Sequence, residues 1–221
     1  MPAWLTRRTG AHEVDKPAWS KDAPPASLRY VVFDTEMTSL DRRTNRLLSI
    51  GAVAMQGASI QLGEQFYRVI NPQVSIPAES IVIHKLRSAD VEGADQLAKT
   101  LDDFCQFAAG SLLVGHFADI DLRILRKEMR QTGHKLDQPA LCTARIHHWI
   151  LRHSPYSEDL ALQLEKLDLP ALARFYGLGP HDAHHALSDA FLTARVWQKM
   201  LHAVEQKGIH TLKKLLKIGE V

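Results

Sequence analysis

Residues 30–36 read Tyr-Val-Val-Phe-Asp-Thr-Glu, four apolar side chains followed by two carboxylates, Asp34 and Glu36. The run predicts a buried strand with acidic residues at its end. Side chains alternate between the two faces of a strand, so residues two apart point the same way. Two buried carboxylates on one face destabilise a protein unless a positive group lies between them. We therefore expect a metal ion here and look for further ligands elsewhere in the chain.

The composition is that of an ordinary globular protein. The chain has 221 residues, 45% of them hydrophobic and 24% charged, with a net charge of +2, which suits one domain of good size. Cys105 and Cys142 are the only cysteines, and their spacing indicates neither a zinc site nor a disulfide framework. No apolar run approaches the roughly 18 residues of a membrane span, and the N-terminus lacks the apolar core of a secretory signal. We expect a cytoplasmic protein without membrane association.

The order of predicted elements indicates an α/β protein. Residues 1–28 are polar, contain three prolines and show no period, so we interpret them as an N-terminal extension to a domain spanning residues 29–221. In this extension Trp4 and Trp19 are expected to pack against the domain. The predicted strands are residues 30–34, 47–55, 59–70, 111–114 and 141–143. The predicted helices are residues 95–109, 119–132, a segment ending near 151, 160–176 with a break near Pro170, 186–206 and 209–218. Three antiparallel strands followed by alternating strands and helices predict a mixed five-stranded sheet with helices on both faces.

Two later segments carry acids on the buried sides of helices. Asp121 opens the predicted helix 119–132 and shares a stripe with its apolar residues. Asp119 is expected to cap that helix, and an acid near a helix start also has an ordinary role in balancing the helix dipole. Asp189 heads the apolar stripe of helix 186–206. His184 lies five residues earlier, a spacing that places it in the preceding loop and not on the same helical face.

Together these residues predict a metal-dependent site. Four inward acids offer only oxygen ligands, which favour Mg²⁺ or Mn²⁺ over zinc. Carboxylates on separate elements can hold two metal ions about 3.5–4 Å apart, the arrangement that serves phosphodiester cleavage. A histidine that titrates near neutrality is suited to accept a proton from attacking water.

Three motifs resemble those of the DEDDh 3′–5′ exonucleases, the group that includes the epsilon subunit of bacterial DNA polymerase III, RNase T and oligoribonuclease. They are Phe33-Asp-Thr-Glu36, His116-x-x-x-Ile-Asp121 and His184-x-Ala-x-x-Asp189. The resemblance covers roughly residues 29–205. It implies an RNase H-like fold and the release of nucleoside 5′-monophosphates from a 3′ end.

The resemblance also assigns roles to individual residues. It matches Asp34, Glu36, Asp121 and Asp189 to the metal ligands, and His184 to the general base. Residues matching segments that surround the terminal nucleotide in the family are Met37, Thr38, Glu79 and His84. The chain departs from the family pattern at Ser39, Lys85, Leu86, Phe117 and Ile120. None of these departures removes a ligand or the base, so they bear on substrate preference and on the shape of the substrate pocket more than on activity.

Basic residues are candidates for contacts with the nucleic-acid backbone. One stripe follows helix 119–132 and a second group follows the first strand; the residues are Arg123, Arg126, Lys127 and Arg130, and Arg42, Arg43 and Arg46. An ordinary solvated helix face is the simpler explanation of the stripe, since surface helices are normally charged.

Several alternatives stay open. Single-stranded DNA is the expected substrate, with RNA trimming of the RNase T or oligoribonuclease type as the alternative. A catalytically inactive nucleic-acid-binding module should have lost a ligand or the base, and this chain retains them all. A phosphatase with Asp34 as nucleophile usually carries a second Asp two residues later, where this chain has Glu36. The chain ends soon after the third motif, so we expect a free-standing enzyme, a homodimer, or an enzyme acting with a protein partner.

Overall fold

The computed structural model describes residues 19–155, 167–179 and 184–221. The strands are β1 (Arg29–Met37), β2 (Leu47–Gln56), β3 (Ser59–Val69), β4 (Leu112–Gly115) and β5 (Ala140–Cys142). The helices are α1 (Ala78–His84), α2 (Ser88–Val91), α3 (Leu97–Ala108), α4 (Asp119–Thr132), α5 (Thr143–Arg152), α6 (Leu169–Phe175), α7 (Ala186–Gln206) and α8 (Leu212–Gly219). A single 3₁₀ turn at Pro25–Ser27 precedes β1.

The five strands form one mixed sheet in the order β3-β2-β1-β4-β5. Strands β3, β2 and β1 make an antiparallel meander. Strand β4 pairs parallel to β1, and β5 pairs parallel to β4. The carboxyl ends of β1, β4 and β5 therefore lie at the same edge of the sheet, where the ligands of open α/β sheets usually bind.

Alternation along β1 divides the core into two layers. Tyr30 and Val32 pack with α5, α6, α7 and α8, whereas Val31 and Phe33 pack with α3 and α4 on the other face. Trp197 of α7 is fully buried, and its ring meets the Tyr30 ring edge-on at 5.4 Å. The predicted mixed sheet with helices on both faces is confirmed.

The described residues that precede β1 pack against the rest of the structure. Trp19 packs against the core on the α7 side, as predicted, while Trp4 lies outside the described residues. The Ala23 carbonyl accepts a hydrogen bond of 2.9 Å from the Leu212 N–H, and the Pro25 carbonyl accepts one of 2.8 Å from the Tyr30 hydroxyl. Residues 19–28 are thus connected to both β1 and α8.

Some predicted boundaries were wrong. Helix α3 begins at Leu97 and not at residue 95, because Gln96 has extended backbone and Asp95 bridges to Ile70. Asp119 does not cap α4. The N-cap is Ala118, which makes no side-chain bond, and Asp119 forms an ion pair with Arg145 at 3.1 Å. Part of the predicted helix 160–176 lies outside the described residues, and the described portion begins at Leu169. None of the helices in the described ranges combines the length and the apolar character needed to span a membrane.

His116 joins the loop after β4 to two other segments. Its Nε2 lies 3.1 Å from the Leu167 carbonyl and its Nδ1 lies 2.9 Å from the Thr143 hydroxyl. A carbonyl only accepts, so Nε2 carries the proton and Nδ1 accepts from Thr143. Burial lowers the pKa of His116 to about 4. The ring is therefore neutral in the folded protein at pH 7.

We expect this histidine to weaken the fold in mild acid. As the pH falls below about 6.5, the unfolded chain binds a proton at His116 that the folded protein does not bind until about pH 4. This lowers the free energy of unfolding by about 2 kcal/mol between pH 7 and pH 5. Urea denaturation of the wild type and of His116→Gln at both pH values measures the change. The destabilisation by His116→Gln should be smaller at pH 5, and an equal destabilisation at both pH values would contradict the expectation.

Candidate active site

Three carboxylates converge where β1 passes beneath the start of α7. Asp34 and Glu36 project from the same face of β1, and Asp189 lies in the first turn of α7. Ligand oxygens of the three all lie within 4.8 Å of one another. Strand alternation brings the first two together, and packing of α7 over β1 brings the third.

Gly51 makes this close approach feasible. It pairs with Asp34 across the β1–β2 ladder, and the first turn of α7 rests on its backbone. A Cβ at Gly51 would lie 2.1 Å from the Leu187 nitrogen and 2.2 Å from the Ala186 carbonyl carbon. Such distances are far inside van der Waals contact, and the atoms that would have to move belong to the helix backbone. Only glycine lets α7 come close enough to place Asp189 beside Asp34.

Asp121 reaches β1 from the opposite face of the sheet. It is 5% exposed, in the first turn of α4, and its Oδ1 accepts two hydrogen bonds from Thr35. The Thr35 N–H donates at 3.0 Å and the Thr35 hydroxyl at 2.6 Å. Asp121 is thereby attached to the residue between Asp34 and Glu36. Asp121 lies outside the group of three carboxylates found among the described residues, and it adjoins that group through Thr35.

Burial and mutual repulsion raise the pKa of these acids. Burial, then the charges of Asp121, Asp189 and Glu36, raise the pKa of Asp34 well above its ordinary value. Burial, followed by the charges of Asp189 and Asp121, raises the pKa of Glu36 to about 8. Burial raises the pKa of Asp121 to about 7, although its hydrogen bonds from Thr35 act in the opposite direction. Such a cluster is favourable in ionised form only with a cation beside it. Its oxygen-only donor set fits Mg²⁺ or Mn²⁺.

Removing the Thr35 hydroxyl should impair the site without disturbing the fold. Thr35→Val preserves the shape of the side chain but removes one of the two hydrogen bonds that Asp121 accepts. Loss of a hydrogen bond to a charged acceptor costs about 1–3 kcal/mol of free energy. We expect any metal-dependent activity of this carboxylate cluster to fall about tenfold, because Asp121 then lacks one of the two bonds that orient it. Initial rates measure this. Thr35→Ser, which retains the hydroxyl, is the matched control and should stay near the wild-type rate; equal losses in both variants would mean that the bond has no such role.

His184 is placed beside the cluster by its backbone. Its N–H donates to Asp189 Oδ2 at 2.7 Å, its φ is 71°, and its side chain is exposed. The next residue, His185, caps α7 by accepting from the Ser188 N–H at 3.4 Å. The His185 ring also stacks on Tyr67 of β3, with centroids 4.7 Å apart. The predicted position of His184, in the loop before α7 and next to Asp189, is what the structure has.

Tyr67 was not predicted from the sequence. It pairs with Gly51, which itself pairs with Asp34, so the three residues lie in line across the meander. Burial and the charge of Glu36 raise the pKa of the Tyr67 hydroxyl. The ring therefore lies close to the acidic cluster and supports the turn that carries His184. An aromatic residue at an ordinary strand position gives no sequence signal of this role.

His84 presents a buried N–H near His184. It is 5% exposed, and its Nδ1 accepts from the Leu86 N–H at 3.1 Å. Nε2 therefore carries the proton, and this atom has no hydrogen-bond partner among the described residues. Burial, then the charge of His184, lower the pKa of His84. A buried donor without a partner is unfavourable, and a ligand acceptor would satisfy it.

The other predicted substrate contacts differ in accessibility. Glu79 is exposed in the first turn of α1, and Met37 is half-buried at the end of β1. Thr38 is only 4% exposed, and its hydroxyl accepts from the Arg46 N–H at 2.9 Å. The hydrogen bond links the two ends of the loop between β1 and β2. Because the Thr38 side chain is buried, it offers a substrate little surface.

Two of the basic residues predicted to contact nucleic acid bind other groups of the protein. Lys127 donates to the carbonyl and side-chain oxygens of Asn45 at 2.7 and 3.0 Å. Arg46 lies 3.6 Å from the buried carboxylate of Glu128. These two residues connect the loop after β1 to α4. The remaining predicted basic residues are exposed: Arg42, Arg43, Arg123, Arg126 and Arg130.

A mixed sheet with a carboxylate cluster on its central strand is the architecture of metal-dependent nucleases with an RNase H-like fold. A family model described as Exonuclease (RNase_T) matches residues 31–197. The chain belongs to this exonuclease family, and the predicted membership of the DEDDh group is confirmed.

Known proteins agree with this assignment. The chain is 30% identical over 202 residues to a PolC-type DNA polymerase III of Thermotoga maritima, covering 91% of this chain and 14% of the relative. It is 30% identical over 182 residues to the DNA polymerase III subunit epsilon of Rickettsia conorii, covering 80% of this chain and 75% of the relative. Exonuclease I of E. coli, solved with a dA16 oligonucleotide, superposes with a TM-score of 0.68 at 12% identity, covering 81% of this chain and 42% of that one. The chain thus spans a small part of the PolC relative and most of the epsilon relative.

Proposed function

We propose that this protein is a metal-dependent 3′–5′ exonuclease that releases nucleoside 5′-monophosphates from single-stranded DNA. The observation that carries the proposal is the cluster of Asp34, Glu36 and Asp189, whose oxygens lie within 4.8 Å of one another. Asp121 adjoins them through Thr35, and His184 adjoins them through Asp189. These five residues are those expected of a catalytic site in this family.

The acids form the binding site for two Mg²⁺ or Mn²⁺ ions. Asp34, Glu36 and Asp189 would hold the ions together with Asp121. The ions would supply positive charge that offsets the negative charge developing on the attacking and leaving oxygens of the phosphodiester. Asp121 is buried and Asp34 is half-buried, which limits the screening of that charge by water.

The base in this proposal is His184. Its ring is exposed and can reach a water molecule at the scissile phosphate, while its main chain is anchored to Asp189. A neutral imidazole in this place accepts the proton that the attacking water loses. The stack of His185 on Tyr67 restricts the turn, so the ring of His184 swings from a fixed backbone.

Substrate contacts follow from the residues beside the cluster. The Nε2–H of His84 would donate to an oxygen of the 3′-terminal nucleotide. Met37 would pack against the terminal base, and Glu79 would accept from the terminal sugar. The main role proposed for Thr38 is to hold the loop that follows Met37 in place, through its bond to Arg46.

The choice of DNA rests on the relatives. The PolC-type and epsilon relatives carry DNA polymerase III names, and the structural neighbour was solved with a DNA oligonucleotide. RNA trimming is the second candidate, because the same cluster serves both polymers and a preference depends on contacts at the 2′-position. The epsilon relative is described as a polymerase subunit, which also favours a protein partner; a homodimer is the alternative.

A paired degradation assay tests the proposal. DNA and RNA oligonucleotides of one sequence, labelled at the 5′ end, are incubated with the protein and Mg²⁺, and products are resolved at single-nucleotide resolution. We expect a ladder that shortens from the 3′ end and a higher rate on DNA. Products that do not shorten stepwise would rule out an exonuclease, and a higher rate on RNA would favour the second candidate.

A further inference from the structure

A cavity of about 550 Å³ opens at the edge of the sheet where β4 and β5 end. Phe117, in the loop between β4 and α4, forms one wall. Trp149 and Arg145 of α5 form the second, and Lys217 of α8 forms the third. No step of the proposed reaction uses these residues.

The position of the cavity connects it to the catalytic site. Its wall includes Cys142, the last residue of β5, and Phe117, two residues beyond the end of β4. The carboxylates lie at the same end of β1, and β1, β4 and β5 are neighbours in the sheet. Two strand spacings separate β1 from β5, a distance of about 10 Å, which a few nucleotides can span. The loop that carries Phe117 leads directly into α4 and Asp121.

Phe117 is held in a conformation that its residue type disfavours. Its φ is 50°, in the left-handed region, and its side chain is 38% exposed. A bulky residue in that region is strained, and an exposed aromatic ring contributes little to the core. The ring leans against the His116 ring, with centroids 4.3 Å apart, so its direction is restricted. The loop thus carries an oriented aromatic surface at a cost in stability.

The walls combine aromatic rings with positive charge. Arg145 forms an ion pair with Asp119, which leaves the positive charge of Lys217 unbalanced among the three. Lys217 is exposed on α8, so the rim of the cavity is positively charged there. Trp149 is half-buried and adds a second ring. Aromatic surfaces for base stacking, beside cations for the backbone, are the combination by which proteins bind single strands without sequence preference.

We propose that this cavity binds the nucleotides upstream of the 3′ end, with a base stacked on Phe117 and a phosphate beside Lys217. The proposal rests on the exonuclease function and names where the rest of the strand lies. The protein should then bind long single strands more tightly than dinucleotides, although both reach the carboxylates.

Substrate length distinguishes this site from the catalytic one. Steady-state rates are measured on a dinucleotide and on an 8-mer of single-stranded DNA. Phe117→Asn removes the ring but suits the left-handed backbone, so the variant should fold. We expect its KM for the 8-mer to rise about tenfold, the effect of one lost base stack. Its kcat, and its KM for the dinucleotide, should stay within twofold of the wild type. Leu62→Asn, at an exposed apolar position of β3, is the control and should change neither.

Salt dependence tests the phosphate contact. Lys217→Ala should lower the slope of log KM against log salt for the 8-mer by about 0.7. Lys213→Ala, exposed on the same helix but outside the cavity, should leave it unchanged. Equal losses on the dinucleotide and the 8-mer, or no loss on either, would overturn the proposal. A change of oligomeric state in Phe117→Asn without loss of 8-mer binding would also overturn it, in favour of a second protein copy as occupant.

Binding separates this inference from the proposed function. Fluorescence anisotropy with labelled 8-mer and Asp189→Asn protein needs no turnover. If wild-type protein released no nucleotides while Phe117→Asn still weakened binding of the 8-mer in that background, the exonuclease proposal would fail and the cavity assignment would stand. If the wild type released nucleotides but binding of the 8-mer did not depend on Phe117, the exonuclease proposal would stand and the cavity assignment would fail.

Discussion

Asp189→Asn should reduce metal-dependent nucleotide release at least about 10³-fold, because loss of charge stabilisation at a metal site amounts to several kcal/mol. The substitution removes one of the three clustered carboxylates but preserves the side-chain shape. An asparagine oxygen can still accept from the His184 N–H, so the turn before α7 should remain in place. Initial rates on a labelled single-stranded oligonucleotide with Mg²⁺ give the measurement. Wild-type rates in the variant would show that the assignment of the metal ligands is wrong.

Thermal unfolding provides the companion readout for Asp189→Asn. Without metal, the variant should melt at the same temperature as the wild type or above it, because a repelling charge has been removed from the cluster. Excess Mn²⁺ should stabilise the wild type, by about 2.7 kcal/mol at 100 times Kd, and should stabilise the variant much less. An inactive nucleic-acid-binding module would show little response to Mn²⁺ in either protein. The experiment thus decides between an enzyme and an inactive relative.

Gly51→Ala should affect both stability and activity. The added methyl group would meet the α7 backbone at about 2.1 Å, where no side chain can rotate away. Overpacking of this kind costs about 1–3 kcal/mol. The helix must also move away from β2, and Asp189 moves with it. Misplacement of a catalytic group by about 1 Å can lower a rate about 10²-fold, so we expect a fall in kcat of about that size.

The chain offers a matched control for Gly51→Ala. Gly63 lies in β3, and a Cβ there would have no atom within 4 Å. Gly63→Ala makes the same chemical change in the same sheet and should leave activity unchanged, with little effect on stability. Urea denaturation and initial rates on both variants measure the two effects. Comparable behaviour of the two alanine variants would mean that the contact between α7 and β2 does not position Asp189.

The inward orientation of the acids was predictable because it depends on residues that are close to them in sequence. Asp34 and Glu36 end an apolar run, and Asp121 and Asp189 head apolar helical stripes, so periodicity alone placed all four toward the interior. The meander and the alternating elements also followed from period and turn residues. The phosphatase alternative for Asp34 is not supported, since the chain belongs to an exonuclease family.

Other parts of the site depend on contacts between distant segments. Thr35 binds Asp121 across 86 residues, and Tyr67 stacks on His185 from another strand. Neither residue type at its position signals such a contact. Gly51 resembles any strand glycine until α7 is known to rest on it. The error at Asp119 has the same origin, because a distant arginine, Arg145, engages the carboxylate that was expected to cap α4.

The alternation of residues 34–36 has a further consequence for how the gene can change. Asp34 and Glu36 face α7, whereas Thr35 binds Asp121 of α4 on the other side of the sheet. Three consecutive residues thus connect β1 to the helices on both faces. A shift of β1 by one residue would exchange the two faces, presenting a threonine to the cluster and two acids to α4. Insertion or deletion of a single codon within this strand should therefore inactivate the protein completely, whereas the exposed turn at residues 41–44 should tolerate changes in length.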